Sequence, residues 1–403
     1  MLNFFNNFFI AITLPRRFDC FDLHKNPALI IMDNITGGKR IISLDVFRGF
    51  TIAGMILVNN QGDWSCVYPA FAHAPWHGWL GADFVFPFFL FILGASLYFS
   101  LTVRMEAGVE RPRLAMGILR RSAVIVILGL LLNLVPSFDL ASVRIPGVLQ
   151  RIGLCYCFAS LLFLYAGRRA QVTITLAVLA LYTFLLLFIT PQGPGSGSLE
   201  PCCNLPGFID GMLFPGHTYE HAPVPGFDPE GLLSTLPAIA SAMTGVFAAA
   251  WLRPGSRARQ ALPLAGIVMT AAGLALDPLL PINKNLWTPA YVLFTGGAAM
   301  VLLYFTGLLF DGGRFGRAAV PFLVFGRNAI AVYLLSSIAG RVMVSLSITV
   351  NGAGKSVKAL IYESLFAPLA PPCAASLLYA AAFTLVWLGI MYLPYRKKLF
   401  ISI

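Results

Sequence analysis

Apolar runs of spanning length recur along the chain, separated by short polar stretches. They fall near residues 46–62, 81–101, 120–136, 146–166, 171–190, 232–252, 261–280, 288–310, 318–346 and 373–394. A bilayer core needs about 20 apolar residues per helix, so the pattern predicts an all-α, polytopic bundle of about ten spans. The segment 318–346 is long enough to hold a bend or a break. The first 40 residues differ. Their apolar run, MLNFFNNFFIAITLPRR, is too short to span, has no basic region before it and offers no small-residue cleavage site. Residues 1–40 are therefore expected to be a dispensable extension, and 41–403 the membrane domain, with one long loop at 191–231.

Composition agrees. The chain is 58% hydrophobic and 11% charged, where soluble domains carry roughly 25% charged residues. The net charge of +11 suggests topology rather than nucleic acid, because no basic module with stacking aromatics accompanies it. Lys39 and Arg40, Arg104 to Arg121, Arg168 and Arg169, Arg253 to Arg259, Arg314 and Arg317, and Arg396 to Lys398 fall on one side of the predicted spans. The loops 63–80 and 191–231, on the other side, contain no Lys or Arg. The positive-inside rule then places both termini in the cytoplasm and His73, His77, His217 and His221 outside. Loop 191–231 is rich in Gly and Pro, but its Asp210, Tyr219, Asp228 and Glu230 favour an ordered lid or binding loop. Of the seven Cys, Cys202 and Cys203 are adjacent, and neighbours rarely bond to each other. Cys66 and Cys373 share their side, so an inter-loop disulfide is open there. No Cys/His spacing indicates a metal.

Polar groups at span boundaries carry the candidate chemistry, since unpartnered polar groups in lipid are costly. His73 and His77 lie in HAPWH, where Pro75 disfavours a continuous helix. A histidine there can act as a general base, while packing at the interface is the competing role, favoured for His77. Asn59, at the end of the first span, suits an oxyanion donor or a helix C-cap. Asp83, just inside the second span, can orient a histidine or pair with Arg144 or Arg151. At the opposite end, Asp45 and Arg48 are spaced for an ion pair. Arg48, Arg120, Arg121, Arg327 and Asn328 form a set able to hold the phosphates of a nucleotide-bearing co-substrate. Trp76, Arg144, Asp228, Glu230, Lys284, Asn285 and Trp287 supply the amides, charges and aromatics a sugar site needs.

Ten strings, in order, resemble the heparan-α-glucosaminide N-acetyltransferase family: SLDVFRG (43–49), LVNN (57–60), HAPWHGW (73–79), ADFVFPFFLFILG (82–94), RIPGVLQRIGLCY (144–156), CNLPGFID (203–210), FDPEGLLSTLPAI (227–239), PINKNLWTPAYVLFTGG (281–297), FGRNAIAVY (325–333) and YRKKLF (395–400). The resemblance implies transfer of an acetyl group from cytosolic acetyl-CoA to a glucosamine amine across the membrane. It makes His73 the catalytic histidine and Asn59 its partner. Animal members carry a luminal N-terminal domain and one more span, both missing from this pattern. A multi-pass protein of a bacterial inner membrane acting on glucosamine or chitosan-like oligosaccharides is the expectation, without a metal, and with a homodimer among the open assembly states. An amino-sugar transporter and an envelope polysaccharide O-acetyltransferase are the alternatives, and a covalent acetyl-histidine route is the alternative to direct transfer.

Overall fold

The computed structural model describes residues 41–190, 193–194, 197–253, 256–312, 315–350 and 353–400. The expected N-terminal extension, with Lys39 and Arg40, and also Arg314, lie outside the described residues. The fold is helical: α1 (Ile42–Asn59), α2 (Val85–Glu106), α3 (Arg111–Leu134), α4 (Val148–Tyr165), α5 (Arg168–Phe188), the short α6 (Leu205–Leu213), α7 (Thr235–Trp251), α8 (Leu262–Leu276), α9 (Pro289–Phe310), α10 (Gly316–Arg327), α11 (Ala329–Ser345), the single-turn α12 (Val357–Ile361) and α13 (Pro372–Arg396). Two small antiparallel hairpins accompany them: β1 (Ile189–Thr190) with β2 (Gly193–Pro194), and β3 (Ser347–Val350) with β4 (Ala353–Ser356).

Among the described residues, eight helices are long and apolar enough to cross a membrane. The other two predicted spans take different forms. α7, at 17 residues, is at the short end of the length that crosses a bilayer core. The segment expected at 318–346 is two helices, α10 and α11, bent by 74°. The break is at Asn328, whose backbone (φ −125°, ψ 34°) leaves the helical region. Pro321, about two turns earlier, removes a hydrogen-bond donor from α10.

Close helix contacts fix the frame. α2 packs on α7, α1 on α10, α3 on α4 and α8 on α9. A Cβ on Gly94 of α2 would lie 1.8 Å from the Ala242 carbonyl, and one on Gly245 of α7 would lie 1.8 Å from that of Phe91. These two backbones touch, the small-residue packing that lipid favours where side chains gain nothing from leaving water. Gly49 and Gly326 do the same for α1 and α10, facing the carbonyls of Phe322 and Asp45. That contact carries Asp45 and Arg48 to Arg327. Gly245→Val is expected to destabilise the protein by about 1–3 kcal/mol or more through overpacking. Gly117→Ala, with open space around it, serves as control in the same thermal-unfolding measurement; equal midpoints for both variants would contradict the close contact.

Two disulfides are present among the described residues. Cys66–Cys373 joins the loop after α1 to the start of α13, the inter-loop bond the sequence left open. Cys202 and Cys203 are bonded to each other, contrary to the expectation for adjacent residues; Cys66 and Cys373 already satisfy one another.

Candidate active site

The HAPWH segment is not helical, and its two histidines diverge. His73 Nδ1 lies 2.7 Å from Asp83 Oδ1. Asp83 is 1% exposed, in the single 3-10 turn (Gly81–Phe84) before α2. Its second oxygen accepts from the backbone N–H groups of Ala74 (3.0 Å) and Leu80 (2.9 Å). All of this fixes the imidazole. Oδ2 is occupied by two donors, so Oδ1 accepts the Nδ1–H, and the lone pair of the neutral ring is left on Nε2. The turn itself is held from below: Tyr291 on α9 donates its hydroxyl to the Asp83 carbonyl at 2.5 Å. The Gly78 N–H bonds the Ile282 carbonyl at 2.8 Å, joining the 73–80 loop to the segment before α9.

That segment brings Lys284 to the histidine. Its Nζ is 3.0 Å from His73 Nδ1, 3.4 Å from Nε2 and 3.6 Å from Asp83 Oδ1. Asp83 therefore pairs with His73 and Lys284, and neither Arg144 nor Arg151 is its partner. Partial burial and then the Lys284 cation push the His73 pKa down, against the pull of Asp83 and Glu230. His77 turns to Asn283 (3.2 Å), the packing role favoured for it.

The described part of the long loop packs over this end of the bundle. Trp76 donates to the Leu199 carbonyl at 2.9 Å and packs edge-on against Phe227. Arg144 grips the loop acids: Nε meets Asp228 Oδ2 at 2.8 Å, Nη2 meets Asp228 Oδ1 at 2.5 Å, and Nη2 also bonds Glu230. Tyr219 stacks under its guanidinium at 4.5 Å. For Glu230, burial works upward, but Arg144, Arg151 and Lys284 outweigh it and hold the carboxyl low. Burial pushes the Asp228 carboxyl up; it also raises Asp210, to about 7. Arg151, 1% exposed on α4, bonds the Gly231 carbonyl and Ser234 and lies over Trp287 at 5.1 Å.

Several of the acceptor-site candidates are placed otherwise than expected, while Asn285 among them and the oxyanion candidate Asn59 stand open. Trp287 offers no face to a sugar. It is 1% exposed, boxed by Phe86, Tyr291 and Arg151, with Nε1 on Ser241 Oγ at 3.0 Å. A left-handed backbone (φ 53°) turns it inward. Arg144 is committed to Asp228 and Glu230, so these three form a structural unit at the site rather than free ligand contacts. Asn59 is exposed at the end of α1, and Asn285 is half-buried beside Lys284. Neither side chain is hydrogen-bonded among the described residues. It is Asn60, one residue on, that caps α1 through Ile56 (2.8 Å).

At the other end of α2 a cavity of about 350 Å³ lies among α1, α2, α3, α4, α10 and α11. Arg48, Arg121 and Arg327 line it, with Ser96, Ser100 and Tyr156. Arg48 makes the i, i+3 pair with Asp45 (3.3 Å), and also bonds Gly326 O (3.1 Å) and Ser96 Oγ (2.5 Å). Arg327 lies over Tyr395 and Phe400, 4.0 Å from Asp45. Arg121 lies over Tyr156 at 4.8 Å and makes no ion pair among the described residues. Two of the expected five are elsewhere. Arg120 is exposed and does not line the cavity, since one residue along a helix turns the side chain to another face. Asn328 is buried at the α10–α11 break, within 3.4 Å of the Leu399 carbonyl. Mixed arginines, hydroxyls and apolar walls fit an acyl-CoA: the cations suit its phosphates and the apolar stretch its pantetheine arm. Phe89, at the near edge of the cavity, follows Asp83 by six residues, about 9 Å along the axis.

The structure is thus a helical bundle of membrane-crossing helices, with an oriented histidine at one end and an arginine-lined cavity toward the other. The profile of the heparan-alpha-glucosaminide N-acetyltransferase catalytic family matches residues 40–276, more than half of the chain. The chain belongs to this family. It is 30% identical to the human heparan-alpha-glucosaminide N-acetyltransferase over 376 residues, covering 79% of this chain and 56% of that protein. It is 29% identical to the mouse protein of the same name over 356 residues, covering 74% and 53%. The chain thus spans about half the length of these relatives.

Sequence reasoning missed Tyr291, Ser234, Asn283 and Ser96 as supports of these sites. Each sits in an apolar or turn-rich stretch where a single hydroxyl or amide gives no pattern; only the fold shows what it faces.

Proposed function

We propose that the chain is a transmembrane N-acetyltransferase of a bacterial inner membrane, passing acetyl from cytoplasmic acetyl-CoA to the amine of a glucosamine-type sugar on the periplasmic side. The His73–Asp83 pair carries this reading: a neutral imidazole whose free lone pair is fixed on Nε2 is what a general base needs. In this reading Nε2 takes the proton of the sugar amine as the amine nitrogen attacks the thioester carbonyl; the tetrahedral intermediate then collapses with cleavage of the C–S bond, and CoA leaves as the free thiol, its sulfur taking the proton back from Nε2. Asn59, exposed at the mouth of α1, donates to the oxyanion. Arg48, Arg121 and Arg327 hold the co-substrate from the cytoplasmic end, and the ordered loop around Glu230 borders the acceptor site. Both chain ends then lie in the cytoplasm, on the side richer in Lys and Arg.

The deciding experiment is purified protein in detergent with acetyl-CoA and glucosamine, assayed for free thiol. Thiol release that requires the sugar, with an alkali-stable amide product, is the expected result. Sugar flux in proteoliposomes without acetyl-CoA, or an alkali-labile ester, would overturn it. The donor site makes a separate prediction. Arg121→Ala should weaken acetyl-CoA binding about 10- to 100-fold, the worth of one charge-assisted hydrogen bond, while Arg120→Ala leaves it unchanged. Calorimetric titration with CoA checks both, and equal losses would remove the cavity from the donor path.

A further inference from the structure

The second amine at the histidine is not explained by general-base chemistry alone. Lys284 Nζ is within 3.4 Å of both ring nitrogens, yet Nδ1 has a single hydrogen and Asp83 accepts it at 2.7 Å. Lys284 therefore does not bond Nδ1; it places positive charge beside the ring, 3.0 Å from Nδ1 and 3.4 Å from Nε2. We propose that Lys284 is a positioning residue that sets the protonation of His73, its ammonium keeping the imidazole neutral and the lone pair available on Nε2. This inference rests on the reading of His73 as the base and reassigns Lys284 from acceptor binding to the base itself.

The charges around the pair are accounted for from each element. Asp83, before α2, accepts from His73 and faces Lys284 at 3.6 Å. Glu230, before α7, acts on both residues, and Arg151 on α4 acts on Lys284. Burial and Arg151 disfavour the charged lysine, while Asp83 and Glu230 favour it. Without Lys284, His73 would face two carboxylates and no adjacent cation. Both favour imidazolium, which has no lone pair to accept a proton. Burial also disfavours that protonation, but 40% of the His73 side chain is open to solvent, and the adjacent charge is the part a substitution can remove.

The test is the titration of His73 itself, read by ¹⁵N-histidine NMR of detergent-solubilised protein, with its signal assigned by loss in His73→Ala. In Lys284→Met the midpoint should move to higher pH, and the acid limb of kcat/KM for the acceptor should move with it. Lys284→Arg, which keeps the charge, should stay near the wild type. Lys284→Gln, closer in polarity, repeats the measurement should the methionine variant not fold. An unmoved or lowered midpoint in the neutral variants overturns the proposal. A raised KM for the sugar with an unmoved midpoint would assign Lys284 to acceptor binding instead. The NMR midpoint needs no turnover, so an inactive acetyl-transfer assay with a shifted midpoint would refute the enzyme reading and leave the Lys284–His73 coupling standing.

Discussion

Asp83→Asn is expected to lower kcat about 10²–10⁴-fold, the usual worth of a working general base, and His73→Ala to lower it by a similar factor. The asparagine result is the more informative because the substitution removes no volume. The buried carboxylate offers one oxygen to the Ala74 and Leu80 N–H groups and the other to His73. An amide has only one acceptor oxygen. If its NH2 faced the two backbone donors, their hydrogens would converge with no acceptor among them, leaving buried donors unsatisfied at about 1–3 kcal/mol each. The oxygen therefore stays on the backbone pair and the NH2 points at His73 Nδ1. That nitrogen must then accept, which moves the ring proton to Nε2 and removes the lone pair the acceptor amine needs. The KM for acetyl-CoA should not change, because the arginine cavity lies further along α2. The measurement is steady-state thiol release at saturating co-substrate. If Asp83→Asn retained more than about a tenth of wild-type turnover, a loss below the span expected of a base, the tautomer would not be part of the reaction.

The sequence shows the site unevenly, for physical reasons. His73 and Asp83 are legible because titratable groups beside apolar spans are rare and need partners. Their pairing is not: they stand ten positions apart across a mostly irregular loop, and Arg144 and Arg151 are equally available as partners. The spans are legible by length and apolarity, whereas the break at Asn328 is visible only as a segment too long for one helix. Arg120 and Arg121 show the limit of side assignment. Charge places both at the same end, but only the helix rotation decides which guanidinium faces the cavity. Trp287 fails differently. KNLWTP reads as an outward segment whose tryptophan faces a sugar. A left-handed turn instead drives the ring under the site, where its buried area offsets the backbone cost of about 1–2 kcal/mol.

Arg144→Gln should be the largest single loss of stability outside the helix contacts, about 3–5 kcal/mol at neutral pH, the usual cost of deleting one partner of a buried ion pair. The arginine side chain is 19% exposed, Asp228 is 0% and Glu230 is 10%, so water cannot replace it at the carboxylates. The dependence on pH follows from their titration. In the wild type, burial raises Glu230 but Arg144, Arg151 and Lys284 together hold it below its ordinary value. A lowered carboxyl stabilises the fold above its unfolded pKa of about 4.3, and that stabilisation is lost as pH falls through the folded value. Asp228 runs the other way, raised by burial despite Arg144. Removing the guanidinium pushes both upward, so the variant gains protons on folding that the wild type does not. Its deficit should be widest at neutral pH and shrink on acidification toward the carboxylate range. Thermal unfolding midpoints in detergent at neutral and mildly acidic pH read this directly, and adding Glu230→Gln to Arg144→Gln should return part of the loss. A gap between wild type and variant that is constant or grows with acid would show that Arg144 holds the loop by packing on Tyr219 rather than by charge.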